Sequence, residues 1–260
     1  APAGPPPDVG TSLPAGAYRA AVARARELIR AGDCYQVNLV QRLTARWVGD
    51  AGALAGAMWR AAGAASHRAY LGLPEGTVVS ASPERLVRAE AGIARSEPIK
   101  GTAPPGAFAA LSRSAKDRAE HVMIVDLVRN DLGRVARSGG VGVPRLMARL
   151  ATPYADHMVS TVRADLAPGT TPADLLRALF PGGSVTGAPK VRAMEVIREL
   201  EPVARGPAFG SMVAVGADGS VEASVAIRTA WVPAGAGEAR YWCGGAVVWD
   251  SDPQGELREA

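Results

Sequence analysis

The sequence predicts an α+β fold, because two regions with the alternating pattern of β-strands flank a region with helical periodicity. The first strand-rich region spans residues 34–96, and the second spans residues 211–249. Between them, residues 114–128 and 191–200 repeat apolar side chains at the spacing of amphipathic helices. This order is typical of sheets with helices packed between or beside them.

The N-terminal region is predicted to form a helix, a strand and a second helix, over residues 13–31, 34–43 and 50–65. Gly32 ends the first helix, since glycine accepts the backbone conformation that terminates helices. In the strand, Gln36 and Asn38 lie on the face opposite Val37 and Leu39. That polar face is either a solvated surface or the wall of a pocket.

The next region is predicted to be an antiparallel meander of four short strands, over residues 69–73, 77–81, 86–90 and 93–96. Turn residues at Pro74-Glu75-Gly76 and at Gly92 separate the members of each pair. The short connections favour antiparallel pairing within one sheet.

The central region changes to helical periodicity at Ser114, which is a candidate cap. Residues 129–135 are predicted to end this helix in a polar turn, with Gly133 as a left-handed stop. A strand and two further helices follow, over residues 157–162, 171–179 and 191–200.

The C-terminal region alternates again and predicts three strands, over residues 211–216, 221–231 and 240–249. Arg228 is placed in the second of these strands. A final helix is predicted to begin near Glu256, and the chain ends as that helix begins.

Composition argues against several classes of function. The net charge is +4, but the arginines are scattered among acids, so a nucleic-acid-binding role is not indicated. Cys34 and Cys243 are far apart and form no zinc or disulfide pattern, which fits a reducing cytoplasm. Residues 1–12 are interpreted as a flexible linker or as the edge of the expressed segment. The sequence contains no apolar stretch long enough to cross a membrane.

A glutamate and a rare lysine suggest acid and nucleophilic chemistry. Only three of the 29 basic residues are lysines, namely Lys100, Lys116 and Lys190. Arginine cannot replace a lysine that must lose its proton to attack carbon. Lys100 is therefore the candidate nucleophile and Glu84 the candidate acid, although a Glu and a Lys flanking a strand are more often a solvated pair.

Two pairs of carboxylates suggest a site for a hard cation. Asp117 and Glu120 have the i, i+3 spacing that places side chains on one side of a helix, and Glu256 and Glu259 repeat it. Such pairs either face water or share a cation. If the two pairs meet, their oxygen ligands indicate Mg²⁺ rather than zinc.

A glycine-rich loop from Phe180 to Lys190 opens onto the helix at residues 191–200. It places backbone N–H groups, Thr186 and a helix N-terminus near Lys190, which suits an anion. The loop lacks the spacing of nucleotide-binding motifs. Together with Arg228, these features indicate a small polycarboxylate ligand held in part through a metal.

Five motifs together resemble the chorismate-utilising enzymes, in that family's order, and the resemblance covers residues 33–259. They are Pro-Ile-Lys-Gly-Thr at 98–102, the segments 116–134 and 180–195, Ala-Ile-Arg-Thr at 226–229 and Asp-Ser-Asp-Pro at 250–253. The lysine in the first motif, and Gly-Asp-Cys-Tyr-Gln-Val-Asn-Leu at 32–39, resemble the aminodeoxychorismate synthase branch, since anthranilate synthases typically carry alanine in the first motif. Isochorismate and salicylate synthases typically have a lysine where Gln36 stands, so the resemblance disfavours that branch of the family.

The resemblance implies the chorismate-binding fold, with two mainly antiparallel β-sheets and helices packed between them in a layered sandwich. It also implies that residues 13–260 form the catalytic domain, without the family's long N-terminal half and with the final helix cut short.

The resemblance also implies roles for individual residues. Chorismate is expected to place one carboxylate on Mg²⁺ held by Glu120 and Glu259, with Asp117 and Glu256 as ligands or outer-shell partners. The remaining expected substrate contacts are Gln36, Thr102, His157, Thr186, Gly187, Lys190, Arg228, Gly244 and Gly245. Lys100 is expected to attack C2 while Glu84 protonates the departing C4 hydroxyl. Ammonia is expected from a separate glutamine amidotransferase subunit.

Two departures from the family pattern leave alternatives open. Ala208 stands where a substrate-side tyrosine is usual, and Ala246 stands where glycine is usual. The alternatives are an anthranilate or 2-amino-2-deoxyisochorismate synthase, which Lys100 disfavours, and a non-catalytic relative that binds chorismate.

Overall fold

The structure, a computed structural model, describes residues 8–63, 67–152 and 155–260. Strands in this part form two seven-stranded sheets with antiparallel pairing, which confirms the predicted α+β class. The first sheet contains β1 (Val9–Thr11), β2 (Gln36–Arg46), β3 (His67–Leu73), β4 (Gly76–Ser82), β10 (Gly187–Ala188), β13 (Thr229–Pro233) and β14 (Glu238–Val247). Its order is β1-β2-β14-β13-β4-β3, and β10 also pairs with β2.

The second sheet has the order β11-β12-β5-β6-β9-β7, and β8 also pairs with β9. Its strands are β5 (Arg85–Glu90), β6 (Ile93–Glu97), β7 (Ile99–Ala103), β8 (Ala136–Ala151), β9 (Asp156–Leu166), β11 (Ser211–Val215) and β12 (Val221–Val225). The helices are α1 (Ala15–Arg30), α2 (Ala51–Ala62), α3 (Phe108–Leu111), α4 (Ala115–Gly133), α5 (Pro172–Leu179), α6 (Lys190–Leu200) and α7 (Pro253–Glu259).

Each sheet packs one face against its own helices. On the first sheet, Val37 and Leu39 of β2 share a buried cluster with Val22 of α1 and Val196 of α6. On the second sheet, the strand residues share a cluster with Ile124 of α4 and residues of α5. Burial of an aliphatic side chain of this size contributes about 1.5–3 kcal/mol, so these clusters fix both helix layers. Helix α4 also contacts β10, so it touches both sheets.

The described chain crosses between the sheets four times, and two of these crossings are short and hydrogen-bonded to neighbouring segments. Pro83-Glu84 joins β4 to β5, and residues 226–228 join β12 to β13. The N–H of Val225 donates to the Glu84 carbonyl at 3.1 Å, and the N–H of Ala81 donates to the Arg228 carbonyl at 3.0 Å. These hydrogen bonds therefore hold Glu84 and Arg228 in place in the short connections between the two sheets.

These crossings correct two predictions. The meander at residues 69–96 is divided, since its first hairpin belongs to the first sheet and its second hairpin to the second sheet. The strand predicted at residues 221–231 is two strands, and Arg228 lies between them with a left-handed φ of +48°. Val225-Ala226-Ile227 is apolar throughout, so periodicity does not mark the second short crossing, and at neither crossing does it show which sheet the next strand joins.

Two further differences concern element ends. Residues 9–11, predicted to lie in a linker, form β1 and pair with β2, while residues 1–7 lie outside the described residues. Gly133 is the last residue of α4 and does not adopt a left-handed conformation, so the predicted stop is wrong; Arg134 caps the helix with right-handed geometry. The last two residues of the helix predicted at 50–65 also lie outside the described residues.

Two predicted details of helix ends are confirmed. Gly32 follows α1 with a φ of +88°, and the hydroxyl of Ser114 accepts the N–H of Asp117 at the start of α4.

No helix in the described part of the chain has the length and apolar character needed to cross a membrane.

Candidate active site

A cavity of about 870 Å³ brings together most of the predicted site residues. Its walls are formed by the two short crossings, at Glu84 and Arg228, and by β7, β14, the start of α4 and helix α7. The predicted residues that line it are Glu84, Lys100, Thr102, Asp117, Glu120, His157, Arg228, Gly244, Gly245, Glu256 and Glu259. Residues distributed over most of the sequence therefore face one space.

Glu84 and Lys100 lie on the same side of the cavity, where a 3₁₀ turn at Gly183–Val185 faces both. The ammonium of Lys100 donates to the Ser184 carbonyl at 3.2 Å. The Ser184 hydroxyl and the Ile99 N–H face the carboxyl of Glu84. This carboxyl is not a solvated surface group, since Glu84 is only 5% exposed.

Burial moves both groups toward their neutral forms. It raises the pKa of Glu84 to about 7, although Ser184, Lys100 and Ile99 oppose the rise. Burial likewise lowers the pKa of Lys100, against the attraction of nearby carboxylates. A charged group in a poorly solvated site loses hydration energy, which is why the neutral forms gain. Both shifts favour the neutral pair, a protonated Glu84 and an unprotonated Lys100.

Four carboxylates face the cavity from two helices, Asp117 and Glu120 near the start of α4 and Glu256 and Glu259 on α7. Burial raises the pKa of Glu120 and of Glu256, and Asp117 and Glu259, respectively, raise them further. Among the described residues, no basic side chain lies within 4 Å of any of the four.

These carboxylates fit a magnesium ion by their chemistry. They are oxygen donors, and Mg²⁺ binds through one or two carboxylates while it keeps several waters. No three His, Cys, Asp or Glu side chains of the described residues are close enough together to form a complete protein cage. Among the described residues, at most two such side chains therefore lie close enough together to share one ion.

The wall with cationic and neutral donors is built from Arg228, His157 and β14. The guanidinium of Arg228 has no carboxylate within 4 Å in the described part of the chain. His157 Nδ1 lies 3.1 Å from the Thr102 hydroxyl, and burial, followed by Arg228, lowers the pKa of His157. Gly244 has a φ of +155°, and a Cβ there would meet the Leu39 carbonyl at 2.1 Å, so the strand requires glycine.

Four predicted substrate residues do not line the cavity, namely Gln36, Thr186, Gly187 and Lys190. Gln36 is fully buried, and neither end of its amide has a hydrogen-bond partner among the residues that the structure describes. The Thr186 hydroxyl donates to the Gly182 carbonyl at 2.9 Å. Gly187 pairs with Val37, and a Cβ there would meet the Gln36 carbonyl at 2.1 Å. The close approach of the Gln36 backbone therefore explains why this position requires glycine.

Lys190 forms a buried ion pair instead of facing a ligand. Its ammonium donates to Asp131 Oδ2 at 2.7 Å and to the Leu179 carbonyl at 3.1 Å. Burial raises the pKa of Asp131, and Lys190 opposes that shift. Lys190 thus ties the start of α6 to the end of α4, which differs from the predicted anion site.

Asp131→Ala is expected to lower the free energy of unfolding by about 3–5 kcal/mol, because it leaves the buried ammonium of Lys190 unpaired. Urea denaturation measures the change. Asp126→Ala is the control on the same helix, since Asp126 is exposed and pairs with exposed Arg129; its expected change is about 0.5 kcal/mol or less. Equal effects of the two substitutions would contradict the buried role.

Sequence reasoning missed several residues of the cavity, including Ser184, Lys116, Tyr241 and Trp242. The strand alternation that singled out Asn38 was informative, since Asn38 lines the cavity. In the register of β2 with β14, Asn38 pairs with Ala246, which also lines the cavity. The residues of β14 beside Asn38 can therefore be identified only when β2 and β14 are known to be adjacent strands.

The two unusual alanines have different surroundings. Ala246 faces the cavity directly. Ala208 is buried in a cluster with Val40 and Trp242, with Phe209 packed against it. Bulky neighbours therefore surround the position where a tyrosine was expected.

The family model described as chorismate binding enzyme matches residues 2–260 of this chain. Aminodeoxychorismate synthase component 1 of Klebsiella aerogenes is 45% identical over 249 residues, which cover 89% of this chain and 52% of that protein. Anthranilate synthase component 1 of Streptomyces coelicolor is 44% identical and covers 92% of this chain and 48% of that protein. The chain spans about half the length of these curated relatives.

A solved structure supports the same relationship. The anthranilate synthase component I from Streptococcus pneumoniae superposes with a TM-score of 0.89 at 33% identity, and the match covers 98% of this chain and 58% of that chain. The isochorismate synthase MenF from Escherichia coli, at 20% identity and a TM-score of 0.83, has the same fold.

Proposed function

The chain belongs to the family of chorismate binding enzymes, and from this premise we propose that it aminates chorismate at C4 to give 4-amino-4-deoxychorismate. The product is a precursor of p-aminobenzoate for folate biosynthesis. The observation that carries the proposal is that buried Glu84 and half-buried Lys100 line one cavity, with the pKa of Glu84 raised and that of Lys100 lowered. Relatives at 43–46% identity that are named aminodeoxychorismate synthase component 1 support this choice of reaction.

In the proposed first step, the unprotonated amine of Lys100 attacks C2 of the ring. The ring double bonds shift, the bond from C4 to its hydroxyl oxygen breaks, and the proton of Glu84 leaves with that oxygen as water. The hydrogen bond from Lys100 to the Ser184 carbonyl orients the amine. Burial of both groups supplies the protonation states that this step needs.

In the proposed second step, ammonia attacks C4 and Lys100 leaves C2 as a neutral amine. The new C4 ammonium returns a proton to the carboxylate of Glu84, which restores the acid. The net reaction consumes chorismate and ammonia and releases aminodeoxychorismate and water, so no oxidant or reductant is needed.

The remaining wall residues suit a dicarboxylate. Arg228, held between the two sheets with its guanidinium free of carboxylates among the described residues, is proposed to bind the carboxylate that lies away from the metal. Neutral His157 and the Thr102 hydroxyl are proposed to contact polar substituents of the ring. The close approach of β14 at Gly244 leaves backbone groups accessible to the same ligand.

Glu120 and Glu259 are proposed to hold Mg²⁺, with Asp117 and Glu256 as further ligands or outer-shell partners. When bound, the ion acts as a Lewis acid that withdraws electron density through the substrate carboxylate. Burial raises the pKa values of Glu120 and Glu256, and repulsion from neighbouring carboxylates adds to the rise.

Glu120→Gln is expected to weaken Mg²⁺ binding by about 10-fold to 100-fold, because one anionic ligand becomes neutral. Calorimetric titration of Mg²⁺ in the presence of chorismate measures this without turnover. Glu195→Gln is the control, since Glu195 is exposed on α6 and pairs with Arg192. Unchanged Mg²⁺ affinity in Glu120→Gln would remove Glu120 from the ligand set.

A glutamine amidotransferase subunit is proposed to supply the ammonia, as the component 1 names of the relatives suggest. The chain is expected to use ammonium salts directly and to use glutamine only when such a subunit is added. Turnover of glutamine by the purified chain alone would contradict this division of labour.

One incubation tests the proposed function against the alternatives. The protein is mixed with chorismate, Mg²⁺ and an ammonium salt, and the products are identified by mass spectrometry. An aminated, unaromatised product that matches 4-amino-4-deoxychorismate by chromatography supports the proposal. Anthranilate would support the second candidate, which the 44% identity to an anthranilate synthase component 1 favours. Unchanged chorismate would indicate a non-catalytic relative.

A further inference from the structure

We propose that Arg205 is a positioning residue, whose side chain holds the reacting wall of the cavity from behind without touching the substrate. The inference rests on the proposed function. Arg205 does not line the catalytic cavity; it lines a separate groove of about 490 Å³. Phe209 lines both spaces, so Arg205 lies directly behind the wall that separates them.

The guanidinium of Arg205 reaches two backbone segments at once. Its Nη1 donates to the Val185 carbonyl at 2.7 Å, and its Nη2 donates to the Asn38 carbonyl at 2.7 Å. Asn38 belongs to β2 of the first sheet, while Val185 ends the 3₁₀ turn. One rigid planar group therefore sets the distance between these segments.

Glu201 holds the guanidinium in its orientation. Arg205 Nε donates to Glu201 Oε2 at 2.9 Å, and Nη2 donates to Glu201 Oε1 at 2.6 Å. The Glu201 side chain is only 4% exposed, and its Oε1 also accepts the Val40 N–H at 3.0 Å. A bidentate pair of this kind is directional, so the orientation of Arg205 is determined by more than charge.

The segments that Arg205 holds carry the reacting groups and the cavity wall. Val185 follows Ser184, whose carbonyl accepts the Lys100 ammonium and whose hydroxyl faces the Glu84 carboxyl. The guanidinium also lies 5.0 Å from the centre of the Phe209 ring, an arrangement that is attractive between a cation and an aromatic face. A shift of Arg205 therefore moves the carbonyl that orients Lys100, together with the ring opposite the substrate.

Arg205→Lys distinguishes positioning from charge. Lysine keeps the positive charge beside Glu201, but its single ammonium cannot reproduce the planar fork that reaches Val185, Asn38 and Glu201 together. We expect kcat to fall by about 100-fold, because misplacement of reacting groups by about 1 Å can cost that much. We expect KM for chorismate to change by no more than about 3-fold, since Arg205 makes no contact with the ligand.

Glu201→Gln is the matched variant, because it removes the negative charge but keeps one acceptor oxygen for Arg205 and leaves both carbonyl contacts of Arg205 available. The positioning role predicts a kcat loss at least about 10-fold smaller than in Arg205→Lys, even if Glu201→Gln lowers Tm more. Arg198→Lys is the control in the same groove, since Arg198 is exposed and lines the groove; its kcat is expected to stay unchanged. Equal kcat losses in Arg205→Lys and Glu201→Gln, or full kcat in Arg205→Lys, would overturn the proposal.

A second readout does not depend on turnover. The chain has three lysines, so ¹³C-lysine labelling gives a spectrum with few side-chain signals. In Arg205→Gln the Cε signal of Lys100, assigned with Lys100→Arg, is expected to shift while that of Lys116 stays in place. An unmoved Lys100 signal in a folded Arg205→Gln protein would refute the positioning role. If the wild-type protein aminates no chorismate, the proposed function fails, and this spectrum still tests whether Arg205 positions Lys100.

Discussion

Lys100→Ala is expected to abolish amination of chorismate, with kcat/KM reduced on the order of 10⁴-fold or more, because the substitution removes the proposed nucleophile. Initial rates with chorismate, Mg²⁺ and ammonium measure the loss. The buried ammonium pairs with a backbone carbonyl rather than with a carboxylate within 4 Å among the described residues, so the variant is expected to fold.

Lys100→Arg provides the matched comparison for this prediction. Arginine keeps a positive charge at the same position, but it stays protonated and cannot attack carbon. Equal inactivity of both variants supports a nucleophilic amine, whereas activity in Lys100→Arg would indicate that only charge matters. In the wild-type protein, mass spectrometry of a quenched reaction is expected to find Lys100 carrying chorismate less one water. Full activity of Lys100→Ala would refute the nucleophilic role.

Glu84→Gln is expected to reduce kcat by about 10²-fold to 10⁴-fold, the usual contribution of a positioned general acid. Glutamine preserves the size of the side chain and its burial, so the loss reports the missing proton rather than a cavity. Glu75→Gln is the control, because Glu75 is exposed in the turn between β3 and β4. A loss of less than about 3-fold in Glu84→Gln would assign the proton to another group.

The pH dependence supplies an independent check on Glu84. Burial raises the pKa of Glu84 to about 7, so the protonated acid is present below that pH and is lost above it. Loss of that proton is therefore expected to produce the alkaline limb of the wild-type kcat/KM profile. Lys100 has a lowered pKa, so its free amine is lost again toward acid pH and the profile is bell-shaped. Glu84→Gln is expected to lose the alkaline limb and keep the acid limb.

Local sequence signals were reliable where a single segment determines its own structure. Gly32 ended a helix and Ser114 capped one, as their backbone chemistry requires. The same approach missed β8 at Ala136–Ala151, whose glycines and irregular register obscure the alternation of a strand. It also assigned Gly133 to a left-handed stop, although α4 ends through right-handed geometry at Arg134.

The candidate site likewise contains residues that the sequence placed correctly and one, Lys190, that it did not. Motif order placed Glu84, Lys100, Arg228 and the four carboxylates in one functional group, and the structure places all of them around one cavity. Lys190 was misplaced, because its motif gives no information about Asp131, which lies 59 positions away and binds its ammonium. The motif alone does not distinguish a lysine that faces a ligand from a lysine that pairs with a distant aspartate.

The sequence by itself determined the α+β class, the family resemblance and the chemical types of the reacting groups, because residue identity and short-range spacing encode them. Only the tertiary structure decided which strands share a sheet, that the chain crosses between sheets at Glu84 and Arg228, and that Arg205 lies behind the wall that holds Lys100. These facts depend on contacts between segments far apart in the chain. The protonation states of Glu84 and Lys100 depend on the same contacts, because burial by distant residues shifts both pKa values.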